Sequence, residues 1–210
     1  MSTVVFVGGT GTEVGKTWVG AALLRTLRTR GVAVHARKPV QSFAQDDACT
    51  DASVLASATG EAVERVCPRH RWYPVPLAPP MAARELAHPP FTISDLAAET
   101  AVAPEGVTLV EGAGGLRSPL ADDGDNLALI AALDPALVIL VADAGLGTIN
   151  AVRLSADALR PRPVVVYLNR FTRAIDVHLR NLDWLRERDG DDVVTDVDAL
   201  TDQVVRRARL

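Results

Sequence analysis

The sequence predicts a doubly wound α/β fold with a mostly parallel sheet, and three features carry that expectation. Five short runs rich in Val, Leu and Ile, at residues 4–7, 32–37, 107–110, 137–141 and 164–168, alternate with longer stretches of helical period. The runs are nearly continuous in hydrophobicity, the pattern of parallel strands covered by helices on both faces. A glycine-rich segment joins the first run to the first helical stretch, and such junctions at strand ends are where parallel α/β sheets bind ligands.

In chain order, the strand at 4–7 leads into a helix over 17–30, whose apolar ridge Val19, Leu23 and Leu27 has i, i+4, i+8 spacing while Arg25 and Arg28 point elsewhere. Gly31 supplies its C-terminal stop. The strand at 32–37 is followed by a helix over 51–59. Between 67 and 90 the prolines at 68, 74, 76, 79, 80, 89 and 90 argue against continuous helix and point to an ordered loop or lid over a site. A helix over 94–100 precedes the strand at 107–110, and a helix over 126–133 precedes the strand at 137–141. A helix over 150–159, the strand at 164–168 and a helix over 175–188 complete the pattern. Val204 and Val205 with Arg206, Arg207 and Arg209 read either as a short surface-binding helix or as a solvated face.

Composition narrows the class. The 210 residues carry 22 basic and 26 acidic side chains, a net charge of −4, and 48% are apolar. Mean hydropathy is +0.14, enough to bury a core, so one domain over 1–210 is expected rather than a disordered chain or a disulfide scaffold. An isoelectric point near 5.6 and the lack of long basic runs exclude a nucleic-acid coat. The longest apolar runs, 18–24 and 136–142, are far shorter than the roughly 20 residues a membrane helix needs, so no membrane association is expected. Cys49 and Cys67 form neither a C-x-x-C pair nor a metal cluster, and no basic leader opens the chain; both point to free thiols in the cytoplasm.

The segment Gly8-Gly9-Thr10-Gly11-Thr12-Glu13-Val14-Gly15-Lys16-Thr17 is a phosphate loop, and it makes the expected fold P-loop NTPase-like. Its backbone N–H groups can point at phosphate oxygens, Lys16 reaches the terminal phosphates, Thr17 offers a hydroxyl to Mg2+, and the helix start adds a favourable dipole. Counted from Gly9 the pattern is G-x5-G-K-T, one residue longer than usual, because Thr10 stands where the first glycine is expected. The second strand ends in Arg37-Lys38-Pro39-Val40-Gln41-Ser42, placing Lys38 at a ligand-binding sheet edge; by position alone such a lysine is more often a solvated charge.

Asp46, Asp47 and Asp51 sit where a helix begins, as caps or as metal ligands. Glu111 closes the third strand before Gly112-Ala113-Gly114-Gly115, the place of an acid that completes a Mg2+ shell, with helix capping as the alternative. Gly145-Leu146-Gly147-Thr148-Ile149-Asn150 opens a further helix and is either an anion-binding N-terminus or a capped turn. Asn169, at the end of the fifth strand, has an amide able to pair with a nucleobase edge. No Ser/His/Asp order, zinc spacing or H-E-x-x-H occurs, so a protein nucleophile is not supported.

Taken together, G-T-x-T-E-V-G-K-T, K-P-V-x-S and V-E-G-A-G-G, in this order and on these strand ends, resemble the dethiobiotin synthetases of biotin biosynthesis over about residues 3–170. Tyr73-Pro74 with Pro79, Ser118-Pro119-Leu120 and 146–150 extend the likeness. The resemblance implies a homodimer that uses ATP, CO2 and Mg2+ to convert 7,8-diaminononanoate into a cyclic urea through a carbamate that takes the terminal phosphoryl group. It implies that Lys16 and Lys38 are catalytic and that Thr12, Lys38 and Ser42 hold the substrate. It further implies that Thr17, Asp51 and Glu111 bind metal, and that Glu13, Val14, Gly15, Lys16, Thr17, Asp51, Glu111, Gly112, Ala113, Gly114 and Asn169 line the nucleotide. Gly147, Thr148 and Asn150 would take the distal carboxylate of the substrate across the dimer interface. Three positions depart from the family pattern: Phe43 stands where glycine is common, Arg170 follows Asn169 in place of aspartate, and Asn181 replaces a tyrosine. A partition- or division-type regulatory ATPase is the competing reading; it usually carries a further lysine early in the phosphate loop, and none precedes Lys16 here.

Overall fold

A computed structural model describes residues 2–208. Its centre is a six-stranded parallel sheet of β1 (Ser2–Gly9), β2 (Val34–Arg37), β5 (Gly106–Glu111), β8 (Leu137–Asp143), β9 (Val164–Asn169) and β10 (Val193–Val194). Their order across the sheet is β10-β9-β8-β1-β5-β2. Two small accessory sheets flank it: β3 (Gln41–Ser42) pairs with β4 (Trp72–Tyr73) in parallel, and β6 (Pro119–Ala121) pairs with β7 (Gly124–Asp125) antiparallel.

Apart from β2, where His35 and Arg37 alternate with Val34 and Ala36, the central strands are apolar on both sides, and the two sides face separate cores. Val5 and Val7 of β1 and Ile139 and Val141 of β8 pack with Val19, Leu23 and Leu27 of α1 (Lys16–Thr29), Leu55 of α2 (Asp51–Thr59) and Leu200 and Val204 of α9 (Val197–Ala208). Phe6, Val110 and Leu140 face the other way. They meet Leu96 of α5 (Ile93–Glu99), Leu129 of α6 (Asn126–Leu133), Val152 of α7 (Thr148–Leu159) and Leu182 of α8 (Asp176–Asp183). Helices on both faces are what the continuous apolar runs require. Two short helices, α3 (Val63–Val66) and α4 (Pro79–Glu85), lie in the connection between β2 and β5.

The expected strands and helices are present, with four differences. The proline-dense stretch does hold a helix, α4, because Pro79 and Pro80 occupy its first turn, where a missing N–H costs nothing. The helix expected over 175–188 ends at Asp183, and residues Trp184–Arg188 form a π-helical turn. β10 adds a sixth strand too short to leave a periodic signal. The C-terminal arginines belong to α9, which buries Leu200, Thr201 and Val204 and exposes Arg206 and Arg207; Arg209 lies outside the described residues. Among the described residues no helix is long and apolar enough to cross a membrane.

The strand order positions the site. β5 lies between β1 and β2, and the register sets Val7 opposite Glu111 and Arg37 opposite Val110. Three neighbouring strands therefore end together: the loop after β1, the 111–115 turn after β5 and Lys38 after β2 emerge side by side.

Candidate active site

The phosphate loop leaves its donors free. Gly15 precedes α1 in the left-handed region at φ 95°, and no side chain caps the helix, so the first N–H groups of α1 are open to an anion. Gly15 cannot be replaced without rearrangement: a Cβ there would lie 2.0 Å from Asn169 Nδ2. Lys16 is buried and its Nζ donates to the Gly11 carbonyl at 2.9 Å, folding the side chain back over the loop. Burial, reinforced by the nearby Lys38 charge, lowers its pKa to about 8 against partial compensation from Glu111 and Asp51.

On the other side, Lys38 is 1% exposed. Pro39 after it disfavours helical backbone, and the Lys38 backbone N–H donates to Val66 O at 2.7 Å. Its Nζ donates to Glu111 Oε1 at 2.7 Å and Gly112 O at 2.9 Å and pairs with Asp51 Oδ2 at 2.8 Å. Burial opposes the ammonium, but the two carboxylates outweigh it and hold the pKa above the ordinary lysine value. Lys38 in turn lowers Asp51 to about 2, whereas burial raises Glu111. The four charges of Lys16, Lys38, Asp51 and Glu111 cancel, which is how a site this buried tolerates them.

Thr17 Oγ1 lies 2.8 Å from Asp51 Oδ1 and 2.9 Å from Glu111 Oε1. One hydroxyl hydrogen serves one of these oxygens at a time, and Glu111 Oε2 is buried with no partner at all. A surplus of hard oxygen acceptors beside a phosphate loop fits a divalent cation such as Mg2+, which takes one or two carboxylates and completes its shell from phosphate and water. Among the described residues no group of three or more His, Cys, Asp or Glu side chains is gathered as a metal cage. Asp51 is not the cap of α2; Thr50 caps it, accepting from Ser53 N–H.

These groups open onto one cavity of about 970 Å³. Of the residues expected in the site, Thr12, Glu13, Gly15, Lys16, Thr17, Lys38, Ser42, Asp51, Ala113 and Gly114 line it. Pro76, Leu77, Ala78 and Pro79 of the proline-rich segment form a wall, as a lid would, and Phe43 adds an aromatic edge. Ser42 Oγ donates to Leu77 O at 2.6 Å, tying that wall to the loop after Lys38.

Val14, Glu111, Gly112 and Asn169 stand behind the lining. Asn169 donates one of its two amide N–H groups to Val14 O at 2.9 Å, bracing the phosphate loop, while Arg170 reaches the cavity and donates to Glu13 O and Asp143 Oδ2. Gly147, Thr148 and Asn150 lie at the start of α7, away from this cavity; Gly147, not Asn150, is the N-cap, and no side chain caps the helix.

Two asparagines support the site in a role the sequence reading did not give them: Asn126, read only as a helix start, and Asn181, read only as a departure from the family pattern. Asn126 is 1% exposed. It holds the turn after Glu111 by accepting from Ala113 N–H at 3.1 Å and donating to Ala113 O and Gly115 O, both at 2.8 Å. Gly112 is required beneath it, since a Cβ there would lie 2.1 Å from Asn126 Oδ1. Asn181 does the same for the turn after β8, donating to Ala144 O at 3.0 Å and Gly145 O at 2.8 Å. An asparagine at a helix start or inside a helix has no pattern that marks such a clamp.

A glycine loop between a central parallel strand and a helix, with an acid on the adjacent strand end, defines a P-loop nucleotide-binding α/β protein, and an AAA domain family model matches residues 3–202. The chain belongs to the ATP-dependent dethiobiotin synthetase family. It is 43% identical over 179 residues to the ATP-dependent dethiobiotin synthetase BioD of Caulobacter sp. (strain K31), covering 82% of this chain and 76% of that protein. It is 42% identical over 167 residues to that of Corynebacterium efficiens, covering 78% and 73%. A plasmid partition protein of Borrelia burgdorferi B31, solved with AMPPNP, matches 93% of this chain and 87% of that chain with a TM-score of 0.56 at 11% identity, a likeness of fold alone.

Proposed function

We propose that the chain is an ATP-dependent dethiobiotin synthetase of biotin biosynthesis, which carboxylates 7,8-diaminononanoate with CO2 and closes the ureido ring using ATP. The observation that carries this reading is that Lys16 and Lys38, delivered by loops after different strands, line one cavity. The regulatory ATPase reading has only the fold in its favour.

In this reading Lys16 and the N–H groups at Glu13, Val14, Gly15 and Thr17 grip the polyphosphate, with Ala113 and Gly114 as the facing wall. An amine of the substrate adds to CO2, losing a proton and forming a carbamate. Lys38 and Ser42 hold that anion and Thr12 contacts the substrate, Ser42 turning its hydroxyl away from Leu77 O to do so. A carbamate oxygen attacks the terminal phosphorus and ADP departs; the second amine then attacks the carbonyl carbon and phosphate leaves. The reacting partners carry roughly −4 and −1, so their approach needs several positive charges in a poorly solvated site. Lys38 suits the task because Asp51 and Glu111 keep it protonated before any substrate arrives. Thr17, Asp51 and Glu111 would hold Mg2+, which when bound neutralises phosphate charge.

The rest of the assembly is part of the same proposal: one domain over 1–210, a cytoplasmic homodimer, and the distal carboxylate received by the partner's α7 start. The start of α7 has no side-chain cap, and Thr148 Oγ1 is buried and unpartnered; both support an anion there. The test mixes protein, Mg-ATP, bicarbonate and diaminononanoate. Dethiobiotin by mass, with ADP release that requires the diamine, is expected. ADP release independent of the diamine, without dethiobiotin, contradicts the reading.

A further inference from the structure

One buried donor on the cavity wall is unused by the chemistry above. Gln41 occupies the position that K-P-V-x-S leaves open, three residues after Lys38, and is 2% exposed. Its Oε1 accepts from the Ala52 N–H at 3.1 Å. A backbone N–H only donates, so this contact decides which end of the amide is oxygen: Oε1 faces α2 and the NH2 group faces away. Nε2 is buried and has no partner. Buried polar groups in native proteins are paired, and one that is bare in the free protein calls for an explanation such as an absent ligand. Gln41 lines the same cavity as Lys38, Ser42 and Asp51, and with its oxygen engaged, the hydrogen-bonding capacity left to it is the pair of N–H bonds on Nε2.

We propose that Gln41 Nε2 donates a hydrogen bond to a carboxylate oxygen of the carbamate, making Gln41 a substrate-contacting residue; this rests on the dethiobiotin synthetase reading. An ammonium such as Lys38 attracts an anion with little preference for its orientation. A planar amide fixed at one end supplies direction. The fixed end is the second residue of α2, adjacent to Asp51, which pairs with Lys38, so one helix start aligns the directional donor with the charge.

Gln41→Glu separates this role from support of α2, because it keeps an oxygen for Ala52 N–H and removes the donor. Dethiobiotin formation is measured against bicarbonate and diamine, alongside AMPPNP affinity and Tm. The expected result is a loss of about 10- to 100-fold in kcat/KM for bicarbonate, with AMPPNP affinity within about twofold of wild type and Tm unchanged. Wild-type-like kcat/KM, or a loss matched by equal losses in AMPPNP affinity, overturns the proposal. Should Gln41→Glu not fold, Gln41→Leu carries the test: turnover lost with AMPPNP binding kept supports the contact, and both lost together overturns it. A wild-type chain that makes no dethiobiotin overturns the underlying reading first; a wild type that makes it beside an equally active Gln41→Glu overturns the contact alone.

Discussion

Lys16 and Lys38 line the same cavity yet hold their charges under opposite conditions. Lys16 has no counter-ion in direct contact, only the Gly11 carbonyl; Glu111 and Asp51 compensate it in part from further off, and burial lowers it to about 8. Lys38 is buried more deeply and is held above the ordinary lysine value by Asp51 and Glu111. A lysine that lacks a counter-ion is completed by its ligand, so polyphosphate binding and full protonation of Lys16 reinforce each other. A lysine that already has two counter-ions gains little from a further anion in affinity, but its charge and position are set before the substrate enters. The first arrangement suits binding and the second suits chemistry, where preorganised charge is worth most.

Lys16→Met sharpens that contrast most. Mg-ATP affinity should fall roughly 100-fold, the loss of charge-assisted bonds to phosphate. The free protein should at the same time gain about 1–3 kcal/mol of stability, because an incompletely compensated buried charge has been removed. Calorimetric titration and denaturant unfolding check the two halves, and a variant that loses both affinity and stability breaks the comparison. Next in size, Asn126→Ala leaves the Ala113 and Gly115 carbonyls and the Ala113 N–H unpartnered and should cost roughly 2–3 kcal/mol in urea unfolding, with a loss of nucleotide affinity as the 111–115 turn loosens.

The pH dependences should run in opposite directions. Lys16 is lowered in the fold, so above about 8 it loses its proton while the unfolded chain keeps one up to the ordinary lysine value of 10.5. Mg-ATP affinity should therefore fall by at most about tenfold per unit as pH rises above 8, while this group's contribution to stability rises over the same window. Asp51 is lowered from 3.8 to about 2, so its contribution is fully present above the ordinary carboxylate value and is lost as pH falls through about 2. Asp51→Asn should flatten the acid limb of a stability profile and, by removing a charge that raises both Lys38 and Lys16, start the alkaline limb at lower pH.

Much of this was legible in the chain. The continuous apolar runs marked all five long strands, and the order of motifs placed Lys16, Lys38 and Glu111 at strand ends. Their meeting was not readable from periodicity, since it depends on β5 lying between β1 and β2, a fact of strand order. Pro79 and Pro80 misled because proline density reads as helix-breaking unless the pair falls in a first turn. The brace from Asn169 to Val14 O was not readable either, since only the fold brings that carbonyl to it. Asn126 and Asn181 clamp turns about a dozen and 36 residues away, with no local pattern to reveal them.

The convergence of the two lysines on separate tasks is tested most directly by Lys38→Met, with AMPPNP affinity and dethiobiotin formation measured on one preparation. The expected result is nucleotide affinity within about threefold of wild type and dethiobiotin formation down by roughly 10²–10³-fold. Equal losses in both, or full synthesis without the Lys38 charge, would contradict it.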